Sequence, residues 1–146
     1  MREKIFNAII ASQENLIKNL EKSLELFNST SDLDEESTID LDDKSHQVNA
    51  QDRYNQTLKK LNMEKDDLVN IHAFANNDCS EIKEGAIVET EEDYFFFGYA
   101  FQPIAFNDKK ILGVAPNAQA YQVNLNKKVG DKLELVNKEL EIKKVF

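Results

Sequence analysis

Residues 68–100 read LVNIHAFANNDCSEIKEGAIVETEEDYFFFGYA, and within them the chain changes its period. Up to Phe74, apolar side chains fall at Leu68, Ile71 and Phe74, the spacing of one face of an α-helix. After Asn76-Asn77-Asp78 the spacing gives way to short runs rich in β-branched and aromatic residues, first Ala86-Ile87-Val88 and then Tyr94-Phe95-Phe96-Phe97. A domain boundary is therefore expected near residue 77. It separates a helical part, 1–77, from a β-rich part, 78–146, and predicts an α+β fold.

Working upstream, residues 43–75 form one amphipathic helix with Val48, Tyr54, Leu58, Leu61, Leu68, Ile71 and Phe74 as its apolar stripe. Residues 3–27 form another, with Ile5, Ile9, Leu16, Leu20, Leu24 and Phe27 in steps of mostly three, four or seven. Asn28-Ser29-Thr30-Ser31 compete for backbone hydrogen bonds and are expected to end the first helix. Two such helices joined by a short polar segment zip their stripes together as an antiparallel coiled-coil hairpin. At 1.5 Å per residue each arm is about 40 Å long.

Downstream, strands are expected at 86–90, 94–100, 110–114, 132–136 and 140–145. Turns are expected at Glu91-Glu92-Asp93, Asn107-Asp108 and Gly130-Asp131. Residues 117–125 read as a short helix between the third and fourth strands. The aromatic run at 94–99 reads as a core strand in preference to the lining of a small-molecule groove.

Charge is concentrated in one place. The net charge is −9, and residues 29–43 hold Asp32, Asp34, Glu35, Glu36, Asp40, Asp42 and Asp43 with no Lys or Arg among them; without those seven acids the net charge would be −2. The hairpin thus carries an acidic tip on a nearly neutral body. That sign speaks against stable direct binding to DNA, which needs clustered Lys and Arg. No stretch approaches the roughly 20 apolar residues that span a bilayer, and Arg2, Glu3 and Lys4 open no secretory leader. Cys79, the single cysteine, excludes an intrachain disulfide and fits a reducing compartment. His46 and His72 stand apart from other potential ligands and read as ordinary helix residues.

A hairpin with acids at its turn, followed by a small strand-rich domain, resembles the Gre family of bacterial transcript-cleavage factors over nearly the whole chain. Gly85-Ala86-Ile87-Val88 is similar to that family's opening strand. Lys127-Lys128-Val129-Gly130-Asp131 resembles its Gly-Lys-Lys-Val-Gly-Asp turn, and Leu140-Glu141-Ile142-Lys143-Lys144-Val145 resembles its closing strand. At the tip, Asp40-Leu41-Asp42-Asp43 resembles the family's Asp-Leu-x-Glu, while Lys44-Ser45-His46-Gln47 departs from Asn-Ala-Glu-Tyr. The family's Ser-Pro ahead of the short helix falls on Ala118-Gln119, and Pro116 cannot be matched to it without an insertion.

The resemblance implies an FKBP-like second domain that docks on bacterial RNA polymerase around Asn117, Ala118 and Gln119, and a hairpin that enters the polymerase's secondary channel. It implies a cytoplasmic accessory factor, monomeric and not itself an enzyme, whose Asp40 and Asp43 share a Mg²⁺ with the polymerase. Carboxylates suit this hard ion, which keeps much of its water shell and activates water for hydrolysis. Three other readings stand beside it. Without cleavage activity the chain would be a channel-binding inhibitor, and with another partner it would be a protein-interaction module. The third is calcium binding: Asp32-x-Asp34-x-Glu36 with Ile39 and Asp43 approaches a calcium loop, but Ser37 replaces the turn glycine and Asp43 the bidentate Glu. The echo Asp32-Leu33-Asp34-Glu35 also leaves open which acidic repeat is the active one.

Overall fold

The computed structural model describes residues 1–33 and 41–146, with side chains described for residues 1–28 and 49–146. Two long helices, α1 (Arg2–Leu33) and α2 (Leu41–Phe74), precede a small mixed β-domain, giving the α+β class expected. The chain then runs through β1 (Ile87–Glu89), β2 (Tyr94–Phe97), β3 (Ile104–Phe106), β4 (Lys109–Val114), α3 (Gln119–Asn124), β5 (Lys132–Glu134), β6 (Glu139–Glu141) and β7 (Lys144–Val145). Packing groups it into two compact units, Gln13–Leu68 and Met1–Ser12 with Val69–Phe146.

In the unit Gln13–Leu68 the middles of α1 and α2 pack side by side through Ile17, Leu24 and Leu61, flanked by Leu20, Tyr54 and Leu68. Gln13 meets Glu64 near one end, and the Phe27 and Tyr54 rings meet edge to face at 6.5 Å near the other, so the helices run antiparallel. The seam on α2 is the heptad series Tyr54, Leu61, Leu68. Leu58 was expected in it, but is 37% exposed against 5% for Leu61. Between the heptad residues the seam is filled by Thr57 and Glu64, both half-buried, so the contact line passes on the 57 side of Tyr54 and Leu61 and leaves position 58 outside it. Helix α1 also runs through Asn28-Ser29-Thr30-Ser31 to Leu33, past its expected end. Local competition for backbone bonds is worth only tenths of a kcal/mol per residue, roughly, and a continuing helix overrides it.

The other unit is built on a five-stranded sheet, order β3-β4-β2-β1-β7. Strand β2 lies at its centre, parallel to β4 and antiparallel to β1. Alternate residues of a strand face opposite sides, and here both sides are covered. On one side Ile87, Tyr94, Phe96 and Ile111 pack with Ile5, Phe6 and Ile9 of α1 and Ile71 of α2. On the other, Val88, Phe95, Phe97 and Val114 pack with Ile82, Tyr121 of α3, Leu133 and Ile142. This explains four consecutive aromatics in one strand. All four are buried, so they serve the core from both faces.

The strand expectations need three revisions. Strand β2 ends at Phe97, because Gly98 (φ 153°) leaves the sheet conformation. The edge strand β3 was not foreseen; it pairs with β4 across a two-residue turn that opens with Asn107 at φ 54°. The expected strand 140–145 is two strands: β6 pairs with β5 in a separate ribbon, while β7 joins the main sheet beside β1. The chain changes sheets at Ile142, whose side chain is buried and whose N–H donates to the Asp131 carbonyl at 3.0 Å.

Arg2 ties the first turn of α1 into this unit. Its Nη2 donates to the Phe74 carbonyl at 2.7 Å, at the last residue of α2, and to the Gly85 carbonyl at 3.3 Å. The guanidinium sits 4.6 Å from the Phe6 ring centre. Burial draws its pKa down, with Cys79 and Asp78 acting in the opposite sense, and an arginine remains a cation under such a shift. Gly85 itself adopts φ +86°, and a Cβ there would stand 2.8 Å from the Phe74 ring.

Candidate functional site

Two regions were expected to carry function, and the structure bears on them unequally. Asp40 lies outside the described residues. Asp43 falls in the first turn of α2, but its side chain lies outside them too, as does that of His46. No group of three or more His, Cys, Asp or Glu able to hold a metal occurs among the described residues. His72 is exposed near the end of α2, and Cys79 is buried with Sγ 3.8 Å from the Asn77 carbonyl.

The second region, Asn117 to Gln119, is described in full. Asn117 and Gln119 are exposed, and Ala118 is half-buried. Ala118 is the N-cap of α3, extended at φ −73° and ψ 143°, with no side-chain cap. A capping Ser, Thr, Asp or Asn would add about 1 kcal/mol there. What holds the segment instead is a set of contacts from α3. The Tyr121 and Gln122 N–H groups both donate to the Ala118 carbonyl, at 3.0 and 3.4 Å. Gln122 Nε2 reaches back to the Pro116 carbonyl at 2.9 Å. Tyr121 packs its ring 5.8 Å from that of Phe97, and burial, then Glu84, raises its pKa.

The segment after α3 is a compact turn. Asn126 takes φ 65°, and its N–H donates to the Ile82 carbonyl, while the Ile82 N–H donates to the Lys127 carbonyl, both at 2.8 Å. Asp131 closes the turn, accepting the Lys128 N–H on Oδ2 at 2.8 Å and donating its own N–H to the Lys128 carbonyl at 3.0 Å. Gly130, at φ 91°, donates to the Ile142 carbonyl at 3.0 Å. The two lysines have different fates. Lys127 Nζ is engaged with the Lys132 carbonyl and Glu134 Oε1, each at 2.8 Å, and with Asn124 Oδ1 at 3.0 Å. Lys128 is exposed, and among the described residues it pairs with Glu81 at 3.9 Å. An exposed pair of that kind contributes about 0–1 kcal/mol, so Asp131 and the backbone hold the turn while Lys128 leaves its charge in solvent. Val123 and Val129 are exposed nearby in sequence, on either side of the turn's start.

The exposed side chains of this segment, Asn117, Gln119, Val123, Lys128 and Val129, are mixed polar and apolar. The residues that shape it, Tyr121, Asn124 and Lys127, were not singled out from the sequence as positioning groups. Their signal there was only a short amphipathic helix followed by a turn. No described helix is long and apolar enough to cross a membrane. Comparison with protein families, with characterised proteins and with solved structures found no match.

Proposed function

We propose that this chain is a Gre-like transcription elongation factor: it binds bacterial RNA polymerase through its β-domain, inserts its hairpin into the secondary channel and promotes cleavage of backtracked RNA. The observation that carries the reading is the turn at 126–131. The family's Gly-Lys-Lys-Val-Gly-Asp begins with Gly, the residue freest to adopt a left-handed backbone, and here Asn126 stands at that position with φ 65°. Asn is one of the few non-glycine residues that adopt this conformation readily. Gly130 at φ 91° and Asp131 as the turn's acceptor supply the rest of the pattern. The antiparallel pair of long helices ahead of a mixed sheet gives further support.

On this reading Asn117, Ala118 and Gln119 contact the polymerase, and Asp40 and Asp43 bring carboxylates to its active centre. There they would hold, jointly with the polymerase, a Mg²⁺ whose chemistry is activation of water for phosphodiester hydrolysis. The chain would act as an accessory factor in the cytoplasm, completing a nuclease site that is mainly the polymerase's own. A second reading, a channel-binding inhibitor without cleavage activity, is favoured by Lys44-Ser45-His46-Gln47, where the residues expected to support the acidic pair are replaced.

The test is RNA cleavage in a purified backtracked elongation complex. The expected result is stimulation by the wild-type chain, abolished by Asp40→Ala with Asp43→Ala while polymerase binding is kept. Binding with inhibition and no cleavage selects the second reading. Absence of polymerase binding refutes both.

A further inference from the structure

Asn124 is buried with no exposed surface, and every hydrogen-bonding position of its amide in use belongs to the chain itself. Its Nδ2 donates to the carbonyls of Ala120 at 2.6 Å and Glu134 at 2.7 Å. Its Oδ1 accepts the Glu134 N–H at 2.8 Å and Lys127 Nζ at 3.0 Å. The side chain thus behaves like one more residue of a strand, pairing with both backbone groups of Glu134 in β5, whose partner across the ribbon is Glu139 in β6. Burying an amide costs several kcal/mol, roughly, unless it is fully bonded, and an apolar residue would fill the same space without that risk. What the amide adds is direction: its bonds to both backbone groups of Glu134 define how α3 is turned against the ribbon.

Helix α3 needs such fixing. It has six residues, no side-chain cap at Ala118, and a non-helical Leu125 at its end, and helices this short have no stability of their own. The chain of contacts from Glu134 to Asn124, along α3 to Gln122, and from Gln122 to the Pro116 carbonyl ends at the exposed Asn117–Gln119 segment. We propose that Asn124 is a positioning residue for the partner-binding face, holding α3 on the β5–β6 ribbon so that Asn117, Ala118 and Gln119 are presented in one geometry. The identity of the partner rests on the polymerase-binding reading above.

Asn124→Asp and Asn124→Leu in the full chain test this. At neutral pH the carboxylate of Asn124→Asp still accepts from Lys127 and Glu134 N–H, but turns lone pairs towards the Ala120 and Glu134 carbonyls. Protonation restores one O–H donor. The charged groups facing the site are Lys127 and the Glu134 carboxylate. Hydrogen-exchange protection of the Tyr121 and Gln122 amides should fall about tenfold in both variants at neutral pH, with the β2 amides unchanged. Affinity for purified bacterial RNA polymerase should fall by a similar factor. Lys127 and the Glu134 N–H favour the carboxylate while burial opposes it, so the two variants are compared at neutral pH alone.

Unchanged α3 protection in both variants overturns the proposal. So does lost protection with polymerase affinity kept. A wild-type chain that does not bind polymerase overturns the functional reading, and the partner role of Asn124 with it; that failure is read on the wild type, not on the variants.

Discussion

Asn126 shows what a single backbone angle can demand. At φ 65° it sits where a β-branched side chain is strained, so Asn126→Val should cost about 1–2 kcal/mol. Asn126→Gly should be nearly neutral. Urea denaturation of the two variants checks the contrast, and equal stability would show that the turn relaxes instead. Arg2 makes the complementary case at the other end of the chain. Arg2→Met would leave the carbonyls of Phe74 and Gly85 without their charged donor, and should cost about 2 kcal/mol in the same measurement. Neither position was legible from the sequence. Asn126 is one of many asparagines, and Arg2 read only as one of the charges that argue against a secretory leader, because its acceptors lie more than seventy residues away.

At the scale of elements, the helices were legible and their seam only in part. Periodicity found Leu61 and Leu68 but also enrolled Leu58, since a stripe counted on one helix does not know which line its partner will touch. Leu61→Ala should cost about 2–3 kcal/mol, and Leu58→Ala less than about 0.5 kcal/mol, by thermal unfolding. Asp67, on the same helix, has its pKa raised by burial, then by Glu64 and Asp66. A carboxyl raised in the folded state binds its proton more tightly there than in the unfolded chain. Its ionisation therefore removes stability as pH climbs from the ordinary Asp value through the folded one, and the loss persists at neutral pH. Asp67→Asn should raise the melting temperature at pH 7, and the gain should vanish below the ordinary Asp range. The strands were legible where the pattern was local, as at β1, β2 and β4. Strand β3 was missed because only pairing with β4 makes three residues after Pro103 a strand, and β6 and β7 were fused because nothing in 140–145 marks a change of sheet.

At the scale of the molecule, the two compact units differ in how they are held. The sheet unit has cores on both faces, whereas the unit Gln13–Leu68 has Ile17, Leu24 and Leu61 as its buried apolar residues among those described, with Gln13 and Glu64 bonded across the same seam. Native-state hydrogen exchange should therefore find the β2 amides slowest, with the middles of α1 and α2 opening at lower free energy. Uniform protection would refute this. Legible along the chain were the helical and β-rich parts, the switch of period near residue 77, the concentration of acid at 29–43 and the turn at 127–131. Those are properties of neighbours along the chain, set by spacing, charge and local backbone preference. Closure of the core is what covers β2 on both faces, divides two sheets at residue 142, and brings the Asn124 amide and Lys127 onto Glu134. Each of those depends on which distant group supplies the apolar surface or the hydrogen-bond partner, and that is fixed only when the whole core closes.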